Sequence, residues 1–327
     1  LTRFLFSALI DADRLDTADF ENPEGGILRN YGRYVRWEHL IDRLERKLQS
    51  FRNDSHINRL RREVSENCKR MGLKEHGIYR LTVPTGGGKT LASLRFALHH
   101  AKQHNMDRII YVIPYTSIID QNAAVIRGIL DPDTPREKTS SVVLEHHSNL
   151  TPEIEGSTYH RLLAENWDAP IVLTTMVQFL EALFGAGTRG CRRMHQLANA
   201  VIIFDEIQTL PIRSVHLFNV ALRFLIQACG STALLCTATQ PLLDQVEPKS
   251  RALPITSEHE ITPNIRELYH ELRRVRVIDK VRSSGWSAGE IADLVVGEMS
   301  EHGSVLAIVN TKKAAAAIFN EIRSKTD

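Results

Sequence analysis

The sequence predicts an α/β fold built around a parallel sheet, and two observations support that prediction. Short runs of β-branched and apolar residues alternate with longer stretches of helical periodicity between Ile78 and Thr239. The short runs are apolar almost throughout, as expected for strands that are buried on both faces of a parallel sheet. This alternation of strands and helices favours an open sheet with right-handed crossovers.

The six predicted strands span Ile78–Val83, Arg108–Ile113, Val142–Glu145, Ile171–Thr174, Val201–Phe204 and Thr232–Cys236. The first helix is predicted after Lys89, because apolar residues recur there at three- and four-residue spacing. Four prolines between residues 241 and 265 predict a connector. After it we expect a basic extended stretch over 272–279, a helix over 288–299, a strand over 305–309 and a helix over 312–322.

Length and composition are those of an ordinary folded protein. The 327 residues suffice for two or three domains, 43% of them are hydrophobic and 24% are charged, and the formal net charge is +2. This composition excludes a disordered chain, a collagen-like repeat and a disulfide scaffold. No apolar run approaches the ~18 residues needed to cross a bilayer, so we expect no membrane partner. The four cysteines form no CxxC pair, which argues against a zinc ribbon and fits a reducing compartment.

The charge is unevenly distributed along the N-terminal part of the chain. Residues 1–26 carry a net charge of −4, whereas residues 27–80 carry +7. The change coincides with a cluster of turn residues at 23–26, which predicts a boundary there. The basic stretch is either a solvated helix face or a nucleic-acid surface. The chain begins at Leu1 within a helical pattern, and we expect it to be a piece of a longer protein.

The strongest motif follows the first predicted strand, where the sequence reads Thr82-Val83-Pro84-Thr85-Gly86-Gly87-Gly88-Lys89-Thr90. Consecutive glycines let backbone N–H groups converge on a polyphosphate at a helix N-terminus. In such a loop Lys89 would contact the β- and γ-phosphates of ATP, and Thr90 would bind Mg²⁺. Val83 stands where the usual pattern has its first glycine, as is typical of helicase-type loops. A nucleotide site is therefore predicted at Thr85, Gly86, Gly87, Gly88, Lys89 and Thr90.

A second motif, Asp205-Glu206-Ile207-Gln208, follows the strand predicted over 201–204. The carboxyl ends of parallel strands line the ligand-binding edge of such a sheet. We expect Asp205 to hold Mg²⁺ through its water shell and Glu206 to orient and deprotonate the attacking water. Gln208 is assigned to the same nucleotide site. Adjacent acids after a strand are often only a turn, but the phosphate-binding motif favours the catalytic interpretation.

Hydroxyl side chains also occur where three of the predicted strands end, in segments 114–117, 174–178 and 237–239. The small-residue turn Thr237-Ala238-Thr239 is typical of superfamily-two helicases, in which it relays the nucleotide state to the nucleic-acid groove. Hydroxyl groups and helix N-termini can bind the phosphate oxygens of a single-stranded nucleic acid, and such contacts do not depend on its base sequence. Ordinary helix capping is the alternative for each segment taken alone. Nucleic-acid or coupling contacts are therefore predicted at Pro114, Thr116, Ser117, Thr174, Thr175, Gln178, Thr237 and Thr239.

Together these motifs resemble the helicase–nuclease family of type I CRISPR systems. The resemblance rests on residues 79–90, on Asp205-Glu206-Ile207-Gln208 and on Thr237-Ala238-Thr239-Gln240-Pro241, and it covers nearly the whole chain. It implies a RecA-like P-loop motor domain with a parallel sheet, preceded by the helical tail of an HD nuclease domain and followed by the start of a second RecA-like domain. The implied boundaries are 1–26 for the nuclease tail, 27–77 for a helical linker, 78–240 for the first motor domain, 241–265 for a connector and 266–327 for the start of the second motor domain.

The resemblance also implies roles for residues outside these motifs. Residues 5–17 resemble the closing helix of the HD domain, in which an aspartate ligates a divalent transition metal. We assign this ligand to Asp13 by position, with Asp11 as the fallback; an acidic helix without a ligand is the alternative. Asn58 and Arg61 occupy the adenine-recognition position, where the wider superfamily has glutamine. Val309-Asn310-Thr311 resembles the first motif of the second motor domain.

The predicted function is that of an ATP-dependent single-strand DNA translocase coupled to a metal-dependent HD nuclease. The resemblance implies recruitment by a crRNA-guided, Cascade-type surveillance complex in a bacterial or archaeal cytoplasm. The alternatives are a helicase or restriction-type translocase without nuclease activity, and a nucleotide-binding interaction module without turnover. His146-His147 is interpreted as a loop near the nucleic-acid face, with metal binding the less favoured interpretation.

Overall fold

The computed structural model describes residues 1–24, 29, 32–52, 54–133, 142–147 and 163–326. Within these residues, a central sheet is formed by β1 (Ile78–Thr82), β2 (Arg108–Ile113), β3 (Val143–His146), β4 (Ile171–Thr175), β5 (Ala200–Asp205) and β6 (Thr232–Thr237). All neighbours are parallel, in the order β1-β6-β5-β2-β4-β3. The predicted α/β class and parallel sheet are confirmed, and each predicted strand is present with ends shifted by at most one residue.

The helices of the described residues lie before, between and after these strands. They include α1 (Thr2–Glu21), α2 (Trp37–Gln49), α3 (His56–Met71), α4 (Lys89–Gln103), α5 (Thr116–Leu130), α6 (Met176–Phe184), α7 (Thr188–Cys191), α8 (Val215–Cys229), α9 (Ile265–Glu271), α10 (Ala288–His302) and α11 (Lys312–Thr326). None of these helices is long and apolar enough to span a membrane.

Each face of the sheet carries its own hydrophobic core. Successive side chains of a strand point to opposite faces, so Ile203 packs with α2, α3, α4 and α5, whereas its neighbours Ile202 and Phe204 pack with α6 and α8. The strand residues are buried on both sides. Burial on both faces explains why the strands read as continuous apolar runs in the sequence.

The outer edge of β1 is covered by the segment that follows β6. Glu260 forms a parallel bridge with Arg80, and the Ile261 amide donates to Arg80 O at 2.9 Å. The Glu260 carboxylate accepts from the Thr82 amide at 3.1 Å and from the Thr82 hydroxyl at 2.7 Å. Burial raises the pKa of Glu260 against the lowering effect of these hydrogen bonds. A residue of the predicted connector thus supports the strand end from which the phosphate-binding motif begins.

The chain divides into two compact units, residues 1–273 and 274–327. The division falls after the predicted start of the second motor domain at residue 266, because Leu268 of α9 and Leu272 directly after it belong to the core of the first unit. The predicted boundary between residues 26 and 27 falls among residues that the structure leaves undescribed.

The second unit contains the two predicted helices, now α10 and α11, which pack against each other. The prediction of a strand over 305–309 is wrong. Those residues are not in a strand, and Leu306 and Ile308 are both 83% exposed. An apolar run forms a strand only where a neighbouring strand supplies hydrogen-bond partners, and no strand is present among the described residues of this unit.

Candidate functional site

The sheet order brings the predicted nucleotide motifs together at one edge. The strands β1, β6 and β5 are neighbours, and because they are parallel their carboxyl ends meet at the same edge. The phosphate-binding loop (residues 83–90), the Thr237–Thr239 turn and the Asp205–Gln208 motif follow these three strands. The segments that follow β2 and β4 lie further along the same edge. The candidate site is therefore divided into a nucleotide half, which includes the Thr237–Thr239 turn, and a second half that contains the nucleic-acid contacts predicted after β2 and β4.

The glycines of the phosphate-binding loop are required by its backbone. Gly86 and Gly88 adopt φ values of +82° and +87°, a left-handed region that side-chain-bearing residues rarely occupy. A Cβ atom at Gly87 would lie 2.4 Å from Val83 Cγ1 and 3.1 Å from Pro84 O. The loop ends at Gly88, the N-cap of α4, whose first residue is Lys89. This is the strand–loop–helix arrangement that the motif predicts.

Lys89 and Glu206, which are 117 positions apart in the chain, form an ion pair. Lys89 Nζ donates to Glu206 Oε1 at 2.5 Å, and Gln208 Nε2 donates to Glu206 Oε2 at 2.7 Å. Burial tends to raise the pKa of Glu206, but the hydrogen bonds from Gln208 and Lys89 outweigh it, and the pKa is lowered. Glu206 also has a left-handed backbone, with φ +49°. The carboxylate is therefore ionised and held at a defined position.

Asp205 is connected through Asn122 to Thr90, the second residue of α4. Its Oδ2 accepts from Asn122 Nδ2 at 3.5 Å, and Thr90 Oγ1 lies 3.4 Å from Asn122 Oδ1. Burial raises the pKa of Asp205, partly opposed by the charge of Lys89 and reinforced by that of Glu206. Asn122 was not among the predicted residues. The signal was available, since it is a polar residue on the apolar face of α5, between buried Ile119 and Ile126.

The strand that leads to the two acids is fixed by aromatic packing. Phe204, the residue before Asp205, is fully buried between Phe179 of α6 and Phe218 of α8. The ring centroids are 5.1 and 5.0 Å apart, and both pairs are edge-to-face. Such pairs contribute about 0.5–1.5 kcal/mol each beyond area burial. The end of β5, and with it the position of both carboxylates, is thereby restrained from two helices.

The Thr237–Thr239 turn is joined to the acidic motif by hydrogen bonds. The Thr237 hydroxyl contacts Gln208 Oε1, and the Thr239 amide donates to Thr237 Oγ1 at 3.0 Å. Thr237 is fully buried, whereas Thr239 is exposed. The buried hydroxyl therefore acts within the protein, between the two motifs.

Asn58 and Arg61 lie on α3, beside the phosphate-binding loop. Arg61 is exposed, and its Nε donates to Gly86 O at 2.8 Å. Its Nη1 lies 3.5 Å from Asn58 Oδ1. The structure thus brings Arg61 into contact with the loop that would hold the phosphates, and Asn58 is connected to that loop through Arg61.

The predicted nucleic-acid residues differ in their accessibility. Ser117 at the start of α5 is exposed, and Pro114 and Thr116 are half-buried. Thr175 caps α6 by accepting from the Gln178 amide at 3.2 Å, as the helix-capping alternative predicts. Thr174 is fully buried, and its hydroxyl donates to His146 O at 3.0 Å rather than facing solvent; a nucleic-acid or coupling role for this residue stays a prediction. Gln178 accepts from Arg193 at 3.2 Å.

The two aspartates proposed for the nuclease metal have different environments on α1. Asp11 is buried, and its carboxylate accepts from Arg192 Nε at 3.0 Å and from Asn166 Nδ2 at 2.9 Å. Asp13 is exposed. In the described part of the chain, no group of potential metal ligands includes either residue. Asp11 therefore joins α1 to the rest of the first unit, and Asp13 is accessible from outside.

One group of three potential metal ligands does occur, next to the His146-His147 pair. His147 Nε2 lies 3.0 Å from Asp120 Oδ1 and 3.9 Å from Glu145 Oε2. Arg127 is already paired with the other carboxylate oxygen of Glu145. Burial tends to raise the pKa of Glu145, but the contacts with His147 and Arg127 outweigh it and lower the pKa. We interpret the group as an ion-pair network that joins α5 to β3.

A parallel α/β sheet with a phosphate-binding loop beside an Asp-Glu-X-Gln motif is typical of nucleotide-dependent motors, and sequence comparison gives the family of this chain. The sequence profile described as DEAD/DEAH box helicase matches residues 65–247, more than half of the chain. The chain belongs to this family.

A curated relative from Haloferax volcanii, named CRISPR-associated nuclease/helicase Cas3, is 28% identical over 354 aligned positions. The alignment covers 93% of this chain and 37% of that protein, so the chain spans little more than a third of its relative's length. This relative confirms the resemblance that the motifs indicated.

Solved structures with detectable similarity include T. fusca Cas3, at 22% identity and a TM-score of 0.47 over 55% of this chain and 22% of that one. They also include the DUF1998 helicase MrfA, at 16% identity and a TM-score of 0.49 over 88% of this chain and 40% of that one.

Proposed function

We propose that the first unit binds Mg²⁺·ATP and hydrolyses it to drive movement along single-stranded DNA. The observation that carries the proposal is the ion pair between Lys89 and Glu206, which joins the phosphate-binding loop to the Asp-Glu-X-Gln motif at 2.5 Å. Family membership supports the same conclusion. A glycine-rich turn and an acidic turn with separate structural roles would not be expected to meet in this way.

The ion pair suggests how the residues act during hydrolysis. The phosphates of ATP would compete with Glu206 for Lys89, since the lysine is a compact point charge suited to phosphate. Without that partner the pKa of Glu206 rises towards its ordinary value, because the Lys89 contact is one of the two that lower it. Glu206 thereby becomes a stronger base for the proton of the attacking water. Gln208 would remain hydrogen-bonded to Glu206 Oε2 while Lys89 changes its partner from Glu206 to the phosphates.

The oxygen atoms next to Lys89 fit Mg²⁺, which prefers hard oxygen ligands. Thr90 and Asp205 would hold the ion, and the buried Asp205 carboxylate, whose pKa is raised, would be stabilised in its ionised form by a nearby cation. Bound Mg²⁺ neutralises charge on the phosphates. Asn122, which contacts both Thr90 and Asp205, would orient them.

The broader role is proposed from the resemblance and from the name of the curated relative. The motor would be coupled to an HD nuclease with a divalent transition metal, to which α1 contributes Asp13, and would act in bacterial or archaeal CRISPR defence in the cytoplasm. The crRNA-guided surveillance complex would recruit it. Asp13 alone does not form a metal site among the described residues.

The proposal is tested with Lys89→Ala and Glu206→Gln in the full-length protein. We expect Lys89→Ala to lose ATP binding and unwinding, because the loop has no other side-chain cation. Glu206→Gln should still bind ATP while DNA-stimulated hydrolysis falls by ~10²–10⁴. Binding is measured with a fluorescent ATP analogue, and hydrolysis by phosphate release with and without single-stranded DNA.

Lys102→Ala is the matched control, since this exposed lysine is on the same helix as Lys89 and pairs only with Glu38 among the contacts described. It should behave as the wild-type protein. Near-normal turnover in Glu206→Gln would remove this residue from the mechanism. ATP binding without DNA-stimulated hydrolysis in the wild-type protein would favour the interaction-module alternative, and hydrolysis without any nuclease activity would favour the nuclease-free translocase.

A further inference from the structure

Tyr269 on α9 contacts the Thr237–Thr239 turn. Its hydroxyl donates to the carbonyl oxygen of Ala238, the middle residue of that turn. Tyr269 is half-buried. Its pKa is raised, mainly by burial and also by the negative charges of Glu206 and Glu260. The hydroxyl is therefore protonated and able to donate. None of the sequence motifs includes this residue.

The turn that Tyr269 contacts is connected to Lys89 by an unbroken series of hydrogen bonds. The Thr237 hydroxyl contacts Gln208, Gln208 donates to Glu206 at 2.7 Å, and Glu206 accepts from Lys89 at 2.5 Å. Four hydrogen bonds therefore connect Tyr269 to Lys89, the residue whose partner would change when a nucleotide binds.

The helix that carries Tyr269 is also held against the phosphate-binding loop and α3. A Cβ atom at Gly87 would lie 3.2 Å from Leu272 Cδ1, which places the residue just after α9 beside the loop. Glu271 Oε2 lies 2.5 Å from His56 Nε2 of α3. The chain then enters the second unit at Arg274, only five residues after Tyr269.

We propose that Tyr269 is a positioning residue that transmits the nucleotide state from the Thr237–Thr239 turn to α9, and through α9 to the chain entering the second unit. This inference rests on the proposed function, since ATP is the ligand that exchanges the partner of Lys89. The hydroxyl of Tyr269 makes the connection, because it is the group that bonds to Ala238 O. The aromatic ring alone would only pack.

Hydrogen exchange tests the relay without depending on catalysis. The full-length protein is measured with and without a non-hydrolysable ATP analogue and Mg²⁺. In the wild-type protein the nucleotide should slow exchange at residues 85–90 and also change it at residues 265–273. In Tyr269→Phe the effect at 85–90 should persist, while the effect at 265–273 should be lost.

Activity measurements separate a relay from simple packing. Tyr269→Phe should leave the KM for ATP and the DNA-free hydrolysis rate within about twofold of the wild-type values. The DNA-stimulated kcat should fall at least about fivefold, the lower end of typical coupling between sites. In Tyr269→Ala the DNA-stimulated kcat should fall by the same factor. If the residue only packs, Tyr269→Phe should match the wild-type protein and Tyr269→Ala alone should be impaired.

Tyr79→Phe is the matched control, since Tyr79 also donates its hydroxyl to a backbone carbonyl, that of Glu75 at 2.6 Å, away from the Thr237–Thr239 turn. It should show wild-type coupling. An unchanged nucleotide effect at 265–273 in Tyr269→Phe overturns the relay and leaves the proposed function intact. An absence of any nucleotide effect at 85–90 in the wild-type protein overturns the proposed function, and the relay with it.

Discussion

Replacing Glu45 by glutamine should loosen the packing of α2 against α4, the helix that begins with Lys89. Buried Arg95 of α4 donates to both carboxylate oxygens of Glu45, at 2.8 and 2.7 Å, and His99 Nε2 lies 2.9 Å from Oε1. Burial opposes ionisation of Glu45, but the hydrogen bonds from Arg95 and His99 outweigh it and lower the pKa from 4.5 to about 2. The ionised carboxylate is thus strongly preferred in the folded protein.

The size of the effect follows from this pKa. One pKa unit corresponds to about 1.4 kcal/mol, which limits the contribution to the free energy of unfolding to about 3 kcal/mol. The Glu45 side chain is 19% exposed, and solvent screening reduces the expected loss in Glu45→Gln to about 2 kcal/mol. Because the folded-state pKa lies below the unfolded-state value, the contribution is complete above about pH 4.5, decreases as the pH falls, and is lost near pH 2.

Urea unfolding followed by tryptophan fluorescence measures this loss. The protein has three tryptophans, so a Trp286→Phe background confines the signal to Trp37 and Trp167 of the first unit. The difference between the wild-type protein and Glu45→Gln should be constant from pH 8 to pH 7, where His99 does not titrate because burial lowers its pKa, and should narrow below pH 4.5. Glu38→Gln on the same helix, a 50%-exposed partner of Lys102, should unfold as the wild-type protein does. Equal urea midpoints for Glu45→Gln and the wild-type protein at pH 7 would refute the reasoning.

Three further predictions follow from the same structure. Gly87→Ala should lower the free energy of unfolding by about 1–3 kcal/mol through the clash with Val83 and should weaken ATP binding, whereas Gly128→Ala, which meets open space on α5, should not; thermal unfolding and nucleotide titration check both. Single-stranded DNA binding should fall steeply with salt and depend little on sequence, since the proposed contacts are to phosphates; fluorescence anisotropy showing one preferred sequence at constant salt would contradict this. Asp13→Ala should abolish metal-dependent cutting of single-stranded DNA in the full-length protein while leaving ATP hydrolysis intact, and cutting at the wild-type rate would exclude Asp13 as a ligand.

The sheet could be predicted because its strands are buried on both faces. Each strand therefore carries a continuous apolar signal, and the predicted end of β5 at Phe204 lies within one residue of its observed end at Asp205. The run at 305–309 carries a similar signal and forms no strand. Strand pairing depends on a neighbour, and an apolar run does not specify one.

The site was predictable where a motif contains the residues that meet. Lys89 and Glu206 each belong to a motif, and the parallel sheet brings the two motifs to one edge. Asn122, Glu260 and Tyr269 lie outside the motifs, and their positions depend on how α5, the segment after β6 and α9 pack. Of these, only Asn122 leaves a local signal, as a polar residue on an apolar helix face. The burial of Thr174 likewise could not be predicted from the sequence, since a threonine at the end of a strand can point to solvent or into the core.

The covering of β1 by residues 260–262 determines how far a shortened form of the protein must extend to contain a stable motor domain. A shortened protein that ended at Gln240 would keep every nucleotide motif but would remove Glu260 and Ile261, and with them the partners of the Thr82 amide and of Arg80 O. An open strand edge is a template for pairing with another chain, so such a protein should aggregate. We therefore expect the segment after β6, which is a connector by its sequence, to protect the motor from self-association, and we expect a fragment that stays monomeric to extend through residue 273.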